Sequence, residues 1–126
     1  DANVFVASRS SESLAGLQAT HIPFDVTTDT LDTTQLPEKI SGLVYCPGSI
    51  NPRRFTGSKP EAFEEASPIN VMGLVRTLQA VLPKFTAGSS VVLYSTVAVK
   101  MGMPFHASVA NAEGGLEGLG QSLGAE

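Results

Sequence analysis

The sequence predicts an α/β fold in which helices flank a parallel sheet. Four short apolar runs are spaced along the 126 residues, and stretches with helical spacing separate them. Each run is rich in Val, Phe, Tyr or Ile and lacks polar alternation, as expected for parallel strands that are covered on both faces. Strands that alternate with helices favour a doubly wound layer. With 42% apolar residues, the chain fits one domain over 1–126.

The strands are predicted at the four apolar runs, which are Asn3 to Ala7, His21 to Val26, Gly42 to Cys46 and Ser90 to Tyr94. Pro23 in the second run indicates an edge strand, because proline cannot donate to a strand ladder. The Thr- and Asp-rich stretch from Thr27 to Gln35 is expected to form a solvated loop that contains a turn.

The longest helical pattern lies within 59–85. Pro68 argues against one uninterrupted helix, because proline clashes inside a helix and suits its first turn. We therefore expect a short turn over 60–66, followed by a helix that Ser67 caps. The apolar positions expected to face the sheet are Val71, Leu74, Val75, Leu78, Val81 and Leu82.

Two further helices are predicted at the ends of the chain. Ser10 or Ser11 can cap a short helix through Leu17. The last helix is expected from about His106 to Ser122. Within it, the segment from Gly114 to Gly120 has the Gly-x-x-x-Gly-x-Gly spacing of a phosphate-binding turn, but such a turn must follow a strand and open a helix. Inside a helix, these glycines instead indicate a small-residue face that permits close packing.

Composition excludes several classes of partner. Eight Lys and Arg stand against twelve Asp and Glu, for a net charge of −4, and no basic block would hold a phosphate backbone. The longest apolar runs are far shorter than the ~20 residues that span a bilayer, and no charged-then-apolar leader precedes them. The single cysteine, Cys46, is expected to be a buried small hydrophobe and cannot form a metal cluster. We expect a cytoplasmic protein that binds no nucleic acid, membrane or metal.

The last third of the chain resembles the short-chain dehydrogenase/reductase family. The apolar run Val91-Val92-Leu93-Tyr94 leads into Ser95-Thr96, and a helical stretch over 107–119 follows. In the family, a catalytic Ser ends this strand, a Tyr follows thirteen residues later, and a Lys follows four after that. The same counting here gives Thr96, Val109 and Glu113. The resemblance implies a Rossmann-like fold and an NAD(P)-dependent carbonyl/alcohol oxidoreductase.

Earlier segments fall into the same register. Asn70 matches the family's fourth catalytic residue, an Asn. Arg9 stands after the second strand of the family fold, where a basic residue favours NADP by pairing with its 2′-phosphate. Asp25 and Val26 match the strand end that touches adenine, and only Gly48 matches the family's Asn-Asn-Ala-Gly turn. The resemblance implies catalytic roles for Asn70 and Thr96, and cofactor contacts from Arg9, Asp25, Val26, Pro47 and Gly48.

Parts of the family fold have no counterpart in these 126 residues. The family begins with a strand and a glycine-rich turn that cradles the pyrophosphate, whereas this chain starts at what resembles the second strand. It also ends before the last two strands. The absent first strand is central in the family's order, three-two-one-four-five. The second strand could therefore pair directly with the fourth, a partner could lend a strand, or the chain could be a fragment of a longer molecule. We favour a fragment, and hence a partial domain.

Two of the family's reacting groups are replaced. Valine at 109 has no proton to give, and a carboxylate at 113 would raise a phenol pKa and repel cofactor phosphates. We expect Glu113 to lie on a solvated helix face. Thr96 either retains the hydroxyl that binds the substrate carbonyl or simply ends a strand. His106, three residues before Val109 on the same helix face, is an alternative acid or base. The expected protein is a pseudoenzyme that binds NADP or NAD weakly or binds neither.

A second hypothesis is a non-catalytic binding or assembly module. In the family, the last two helices form a dimer interface. The resemblance therefore implies a homo-oligomer through the helices at 68–85 and 106–122, in which the glycines of the last helix serve subunit contact.

Overall fold

A computed structural model describes residues 2–126 and has the predicted α/β fold. Among the residues described, 3-10 turns separate the first three strands, and a helix that contains a π-helical segment over Pro68–Met72 separates the third strand from the fourth. The elements in chain order are β1 (Val4–Ser8), β2 (Ala19–Pro23), β3 (Ile40–Tyr45), α1 (Glu61–Ser67), α2 (Gly73–Val81), β4 (Phe85–Leu93), α3 (Ala98–Met101) and α4 (Ala107–Leu123). All four predicted strands are present. β2 ends before Val26, and β4 begins five residues earlier than expected.

The strands form two separate parallel pairs. β1 pairs with β2, and Val4 lies opposite Ala19. β3 pairs with β4, and Tyr45 lies opposite Leu93. Among the residues described, β1 makes no ladder with β3. By the resemblance, β1 is the family's second strand and β3 is its fourth. Direct pairing of these two strands, one of the three possibilities, therefore does not occur among the residues described. Pro23 is the last residue of β2, where a missing N–H interrupts no ladder.

The segment 61–81 forms a continuous helix, so the prediction of a turn followed by a capped helix was wrong. α1 runs to Ser67, and Pro68 opens the π-helical segment. Ser67 makes no capping hydrogen bond. The backbone N–H of Gly73 donates to the carbonyl of Pro68, which is the wide spacing of a π-helix. Pro68 therefore lies inside the helix, at the first residue of the π-helical segment.

The core lies between one face of the strands and helices α2 and α4. One cluster of buried residues comprises Ile22, Phe24, Leu31 and Val81, and a second comprises Tyr45, Leu74, Leu78 and Leu116. The predicted sheet-facing residues of α2 are confirmed at Leu74, Leu78 and Val81. Leu82 is 45% exposed, so its assignment to this face was wrong. It lies past the end of α2, in a 3-10 turn over Leu82–Lys84, where the α-helical periodicity no longer holds.

The opposite face of the β3–β4 pair is open. Val44 and Val92 lie opposite each other in the ladder and are 56% and 45% exposed. The expectation of strands covered on both faces is therefore wrong for the residues described. Cys46 is also exposed, contrary to its predicted burial, because it follows the last residue of β3 and lies in the turn beyond the strand.

The predicted first helix is only a 3-10 turn over Glu12–Leu14. Ser11 forms no side-chain cap, whereas Oγ of Ser10, the other predicted cap, accepts a bond of 3.1 Å from the backbone N–H of Glu12. Gly16 follows with a φ of 84°, a left-handed conformation that ends the turn. The loop from Thr27 to Gln35 is mostly exposed as predicted, and the Asp32 side chain caps its 3-10 turn at Thr33–Gln35. α4 is helical through all its glycines, as expected, and none of them belongs to a strand-to-helix turn.

Candidate functional site

Asn70 lies at the centre of the candidate site and is fully buried, at 0% exposure. Its side-chain Oδ1 accepts a hydrogen bond of 3.1 Å from the backbone N–H of Ser49, in the turn after β3. Its Nδ2 donates a bond of 2.7 Å to Oε1 of Glu113 on α4. One side chain thus joins the π-helical segment, the turn at the carboxyl end of β3, and helix α4.

The π-helical segment presents Asn70, and Tyr45 stabilises that segment. The buried Tyr45 hydroxyl donates to the carbonyl oxygen of Ile69 at 2.5 Å, next to Asn70 in the chain. A Cβ at position 73 would overlap both the Tyr45 hydroxyl and the side chain of Val26, so only glycine fits there. Burial, together with the negative charge of Glu113, raises the pKa of Tyr45 to about 12, although Arg76 opposes the shift. Tyr45 is therefore a neutral hydrogen-bond donor.

Glu113 is buried at 8% exposure, so its prediction as a solvated helix residue was wrong. Its Oε1 receives the Asn70 bond, and its Oε2 has no hydrogen-bond partner among the residues described. Burial raises the pKa of the Glu113 carboxyl, the Asn70 bond opposes this, and the negative charge of Glu117 adds to it. The group therefore holds its proton to higher pH than an ordinary glutamate does.

The spacing of apolar residues in α4 would have predicted that Glu113 is buried. The buried residues of α4 are Val109, Ala112, Glu113 and Leu116. They follow the i, i+3, i+4, i+7 pattern of a single helix face. An acid within an otherwise apolar face is buried with that face. Ser49 and Tyr45, which also contribute to the site, carried no comparable signal in the sequence.

Val109 is buried at 6% exposure, one helical turn before Glu113. Thr96 follows β4 and is half-buried, and its Oγ1 accepts a 3.3 Å bond from the backbone N–H of Ala98 at the start of α3. Among the residues described, Thr96 makes no hydrogen bond to Asn70 or Glu113. Thr96 thus caps its own turn as a hydrogen-bond acceptor. That bond does not use its hydroxyl hydrogen, which can donate to a ligand.

His106 stands immediately before α4, and its Nδ1 lies 2.7 Å from the carbonyl oxygen of Pro104 in the preceding loop. It forms no hydrogen bond with the Asn70–Glu113 pair in the part of the chain that the structure describes. The structure therefore places this imidazole in a loop contact, away from the two side chains that form the site.

The residues predicted to contact a cofactor lie at the carboxyl ends of the strands. Arg9 is exposed just after β1, and its charge contributes to lowering the pKa of Asp25, although the bonds from Thr27 are the main cause. Those bonds hold the Asp25 carboxylate in a local turn. Pro47 and Gly48 are exposed after β3, and a Cβ at position 48 would lie 4.0 Å from Oε1 of Glu113. Val26 packs against both core clusters.

The residues predicted for the site thus lie in two separate groups in the structure. Gly48, Asn70 and Glu113 meet beyond β3, whereas Arg9 and Asp25 meet beyond β1 and β2. A cleft of about 250 Å³ lies beside the first group and is lined in part by Ser49, Ile69 and Ser108. Within residues 2–126, no three or more His, Cys, Asp or Glu side chains are grouped to hold a metal ion. No helix in the same range has the length and apolar content to cross a membrane.

Comparison with known proteins decides the family. A profile described as enoyl-(acyl carrier protein) reductase matches residues 6–126, nearly the whole chain. The chain belongs to the short-chain dehydrogenase/reductase family. No curated protein matches it in sequence.

Solved members of the short-chain dehydrogenase/reductase family share this fold. A short-chain dehydrogenase/reductase from Saccharomyces cerevisiae is 20% identical with a TM-score of 0.85, and the match covers 100% of this chain and 55% of that protein. A protein from Brucella melitensis described as glucose/ribitol dehydrogenase is also 20% identical, with a TM-score of 0.85 and coverage of 97% and 58%. A short-chain dehydrogenase from Streptomyces avermitilis has a TM-score of 0.81, 20% identity and coverage of 96% and 51%.

This chain spans about half the length of these short-chain dehydrogenase/reductase structures. The resemblance predicts that Val109 and Glu113 stand at the positions of the family's catalytic Tyr and Lys, and Asn70 and Thr96 at those of its Asn and Ser, and these assignments stay predictions. Only Asn70 and Glu113 of these four are in direct contact here.

Proposed function

We propose that the chain forms part of an NAD(P)-dependent oxidoreductase that interconverts carbonyl and alcohol groups. The buried Asn70 carries the proposal, because it joins the turn after β3 to α4 at the carboxyl end of a parallel strand pair. Ligands of open α/β sheets bind at this end of the strands. Since the chain spans about half of the solved relatives, the activity is proposed for the complete polypeptide.

The described residues fit a dinucleotide at two places. The exposed guanidinium of Arg9 would hold a phosphate beyond β1. The exposed Gly48 has no side chain to block a ligand beside Glu113, whose Oε2 lacks a partner. When bound, the cofactor supplies the hydride. The residues of this chain orient the ligand and exchange a proton with it.

By itself, this 126-residue chain is proposed neither to bind the dinucleotide tightly nor to transfer a hydride by phenol chemistry. Val109 replaces the phenol of the family with a side chain that has no proton, and Glu113 replaces the ammonium. A fluorescence titration of NADPH with this chain tests the proposal. We expect no saturable signal at micromolar chain concentrations, and micromolar binding would contradict the proposal.

Arg9 favours NADPH over NADH in the complete polypeptide, because a guanidinium can form a two-pronged bond with a 2′-phosphate. The variant Arg9→Ala should reduce the ratio of kcat/KM for NADPH to that for NADH by about tenfold, and Arg53→Ala, at another exposed arginine, serves as the control. An unchanged ratio in Arg9→Ala would remove this residue from the cofactor site.

A second candidate is self-association through the helices at 68–85 and 106–122. Two observations favour it: Met72 and Leu82 are 44% and 45% exposed, and a Cβ at Gly118 on α4 would meet no atom within 4 Å. Both leave room for a second copy to approach. Sedimentation velocity at micromolar concentration should then show a dimer, and a monomer would count against this function.

A further inference from the structure

One oxygen of the Glu113 carboxyl, Oε2, is buried although no hydrogen bond among the residues described compensates for the burial. A buried polar atom without a partner costs about 1–3 kcal/mol, so native proteins rarely keep one without a reason. The atom lies in the candidate site, on a carboxyl group next to the exposed Gly48.

The Asn70 bond indicates where a proton on this carboxyl resides. Nδ2 of Asn70 is a donor, so Oε1 of Glu113 must accept. In a protonated carboxyl, Oε1 is then the carbonyl oxygen, and Oε2 carries the hydrogen. Oε1 is the oxygen nearest Gly48, 4.0 Å from the position of a Cβ there, and rotation about the terminal torsion, which is broad in a glutamate, lets Oε2 approach a ligand on the same side.

Among the residues described, no nearby cation favours the charged form of Glu113. On α4 itself, Glu117 adds a negative charge, and Tyr45 of β3 is a neutral phenol. Lys100 of α3 pairs with Glu117 at 2.9 Å, and Arg76 of α2 donates to the carbonyl of Val26. His106, before α4, contacts Pro104. The titratable side chains of α1, which packs on α4, are all acidic: Glu61, Glu64 and Glu65.

We propose that Glu113 is the acid–base group of this site, a protonated carboxylic acid that exchanges its Oε2 proton with the oxygen of a carbonyl or alcohol ligand. The proposal rests on the carbonyl/alcohol chemistry proposed above and assigns to Glu113 the proton transfer that Val109 cannot perform. Asn70 is a positioning residue, because its bond to Oε1 keeps the proton on the other oxygen.

The proton balance in the reducing direction is simple. The carbonyl carbon gains a hydride from a reduced nicotinamide, which is thereby oxidised. The O–H bond at Oε2 breaks, a new O–H bond forms on the ligand oxygen, and the pair of electrons of the broken bond remains on Glu113 as a carboxylate. A hydronium ion of the solvent then returns a proton to Oε2 and leaves water, so each turnover takes up one proton from solution. In the oxidising direction, the Glu113 carboxylate accepts the alcohol proton. A neutral Glu113 also removes the repulsion that a carboxylate would exert on cofactor phosphates.

The protonation state can be measured directly on this chain. Carbon-detected NMR of the ¹³C-labelled protein follows each side-chain carboxyl against pH, and Glu113→Gln identifies the Glu113 signal by its loss. We expect Glu113 to keep its proton above pH 4.5, the ordinary pKa of a glutamate, because burial raises its pKa. If the Glu113 signal shows no raised pKa, the proposal is overturned.

The catalytic role is tested by activity in the longest natural polypeptide that contains this chain, with NADPH and a panel of small aldehydes and ketones. Glu113→Gln keeps the acceptor for Asn70 but has no acidic proton. Removal of a general acid slows catalysis about 10²–10⁴-fold, so kcat should fall at least about 100-fold. Glu64→Gln makes the same change at an exposed position and should leave kcat unchanged. In the wild type, the rate of reduction should decrease with rising pH with the midpoint that NMR gives for Glu113.

The outcomes separate this proposal from the function on which it rests. If the wild type reduces carbonyls and Glu113→Gln does so equally well, Glu113 is not the acid and the oxidoreductase function stands. If the wild type turns over no substrate while NADPH binds, the oxidoreductase function fails and the catalytic role of Glu113 fails with it. A loss confined to Glu113→Gln, with a matching pH midpoint, supports both.

Discussion

Asn70 satisfies two hydrogen-bonding groups that lie more than twenty residues from it in the chain, the backbone N–H of Ser49 and the carboxyl of Glu113. A change at this residue therefore affects three parts of the molecule at once. The cost of such a change comes mainly from the groups that are left behind without partners, because buried donors and acceptors lose their full solvation.

Asn70→Ala should lower the free energy of unfolding by about 2–4 kcal/mol, because it leaves the Ser49 N–H and Glu113 Oε1 unpaired and opens a small cavity. Urea denaturation of this chain measures the change. Asn111→Ala, at an exposed position of α4, is the matched control and should change the stability by less than about 0.5 kcal/mol. Equal effects of the two variants would show that the Asn70 contacts contribute nothing to stability.

The raised pKa of Glu113 makes stability depend on pH in a defined direction. The native state binds the proton more tightly than the unfolded state, so this contribution is fully present below the unfolded pKa of 4.5 and is lost as pH rises toward the raised native value. Asp25 and Asp32 act in the opposite direction, because their pKa values lie below 3.8. Their contributions are lost as pH falls through the lowered native values, in a separate, more acidic range.

Glu113→Gln should therefore stabilise the chain relative to the wild type progressively as pH rises above 4.5, because a buried amide carries no charge to desolvate. Urea denaturation of both proteins at a series of pH values gives the difference in free energy. A flat difference for Glu113→Gln would show that the carboxyl has an ordinary pKa.

The sequence predicted the site in part, and the missing part has a physical cause. Its resemblance assigned roles to Asn70, Val109 and Glu113, which stay predictions, and the structure brings Asn70 and Glu113 into contact. Its strand pattern placed Gly48 past a strand end, where the structure has it. It did not predict that Glu113 is buried, since the prediction followed the usual exposure of charged residues rather than the periodicity of the face shared with Val109 and Leu116. Long-range contacts such as that between Tyr45 and Ile69 leave no local pattern.

At the scale of elements, the helix over 61–81 shows how tertiary contacts override a local rule. A proline inside an α-helix removes a hydrogen bond and clashes with the preceding turn, which is why Pro68 was expected to start a helix. Pro68 nevertheless lies within the helix, and the wide π-helical ring of hydrogen bonds begins at its carbonyl, which accepts from the N–H of Gly73. The carbonyl of Ile69 receives the Tyr45 hydroxyl, which lies against Gly73. A distant strand therefore stabilises an irregular turn that the local sequence disfavours.

Tyr45→Phe should lower the free energy of unfolding by about 1–2 kcal/mol, because it keeps the packed ring and removes only the donor to Ile69. It should also raise the exchange rate of the Ser49 amide, because the shifted π-helical segment weakens the bond that Asn70 Oδ1 accepts. Urea denaturation and amide hydrogen exchange measure the two effects. Tyr94→Phe, at a position that is 63% exposed, is the control and should change neither. If Tyr45→Phe leaves Ser49 exchange unchanged, the tyrosine does not position Asn70.

At the scale of the whole molecule, the two strand pairs are connected by packing rather than by a ladder. The first core cluster contains residues from β2 and α2, and Ile40 and Leu43 of β3 pack against it. Both pairs therefore rest on α2, although β1 and β3 share no hydrogen bonds. The other face of β3 and β4 presents Val44 and Val92 to solvent. An open apolar sheet face of this kind promotes association between copies. A dimer could therefore form through this sheet face or through the helices at 68–85 and 106–122.

The variant Val44→Thr/Val92→Thr separates these two causes. Threonine keeps a β-branched side chain on the strand, and both positions are exposed, so the free energy of unfolding should change by less than about 1 kcal/mol. If copies associate through the sheet face, sedimentation velocity should shift this variant toward monomer and leave Met72→Lys, on the helix surface, unchanged. If they associate through the helices at 68–85 and 106–122, Met72→Lys should become the monomer and the double variant should remain a dimer. Leu93→Thr changes the covered face of β4 and should instead lower the free energy of unfolding by about 2 kcal/mol or more. A larger cost than that of the double variant would show that only one face of the sheet is buried.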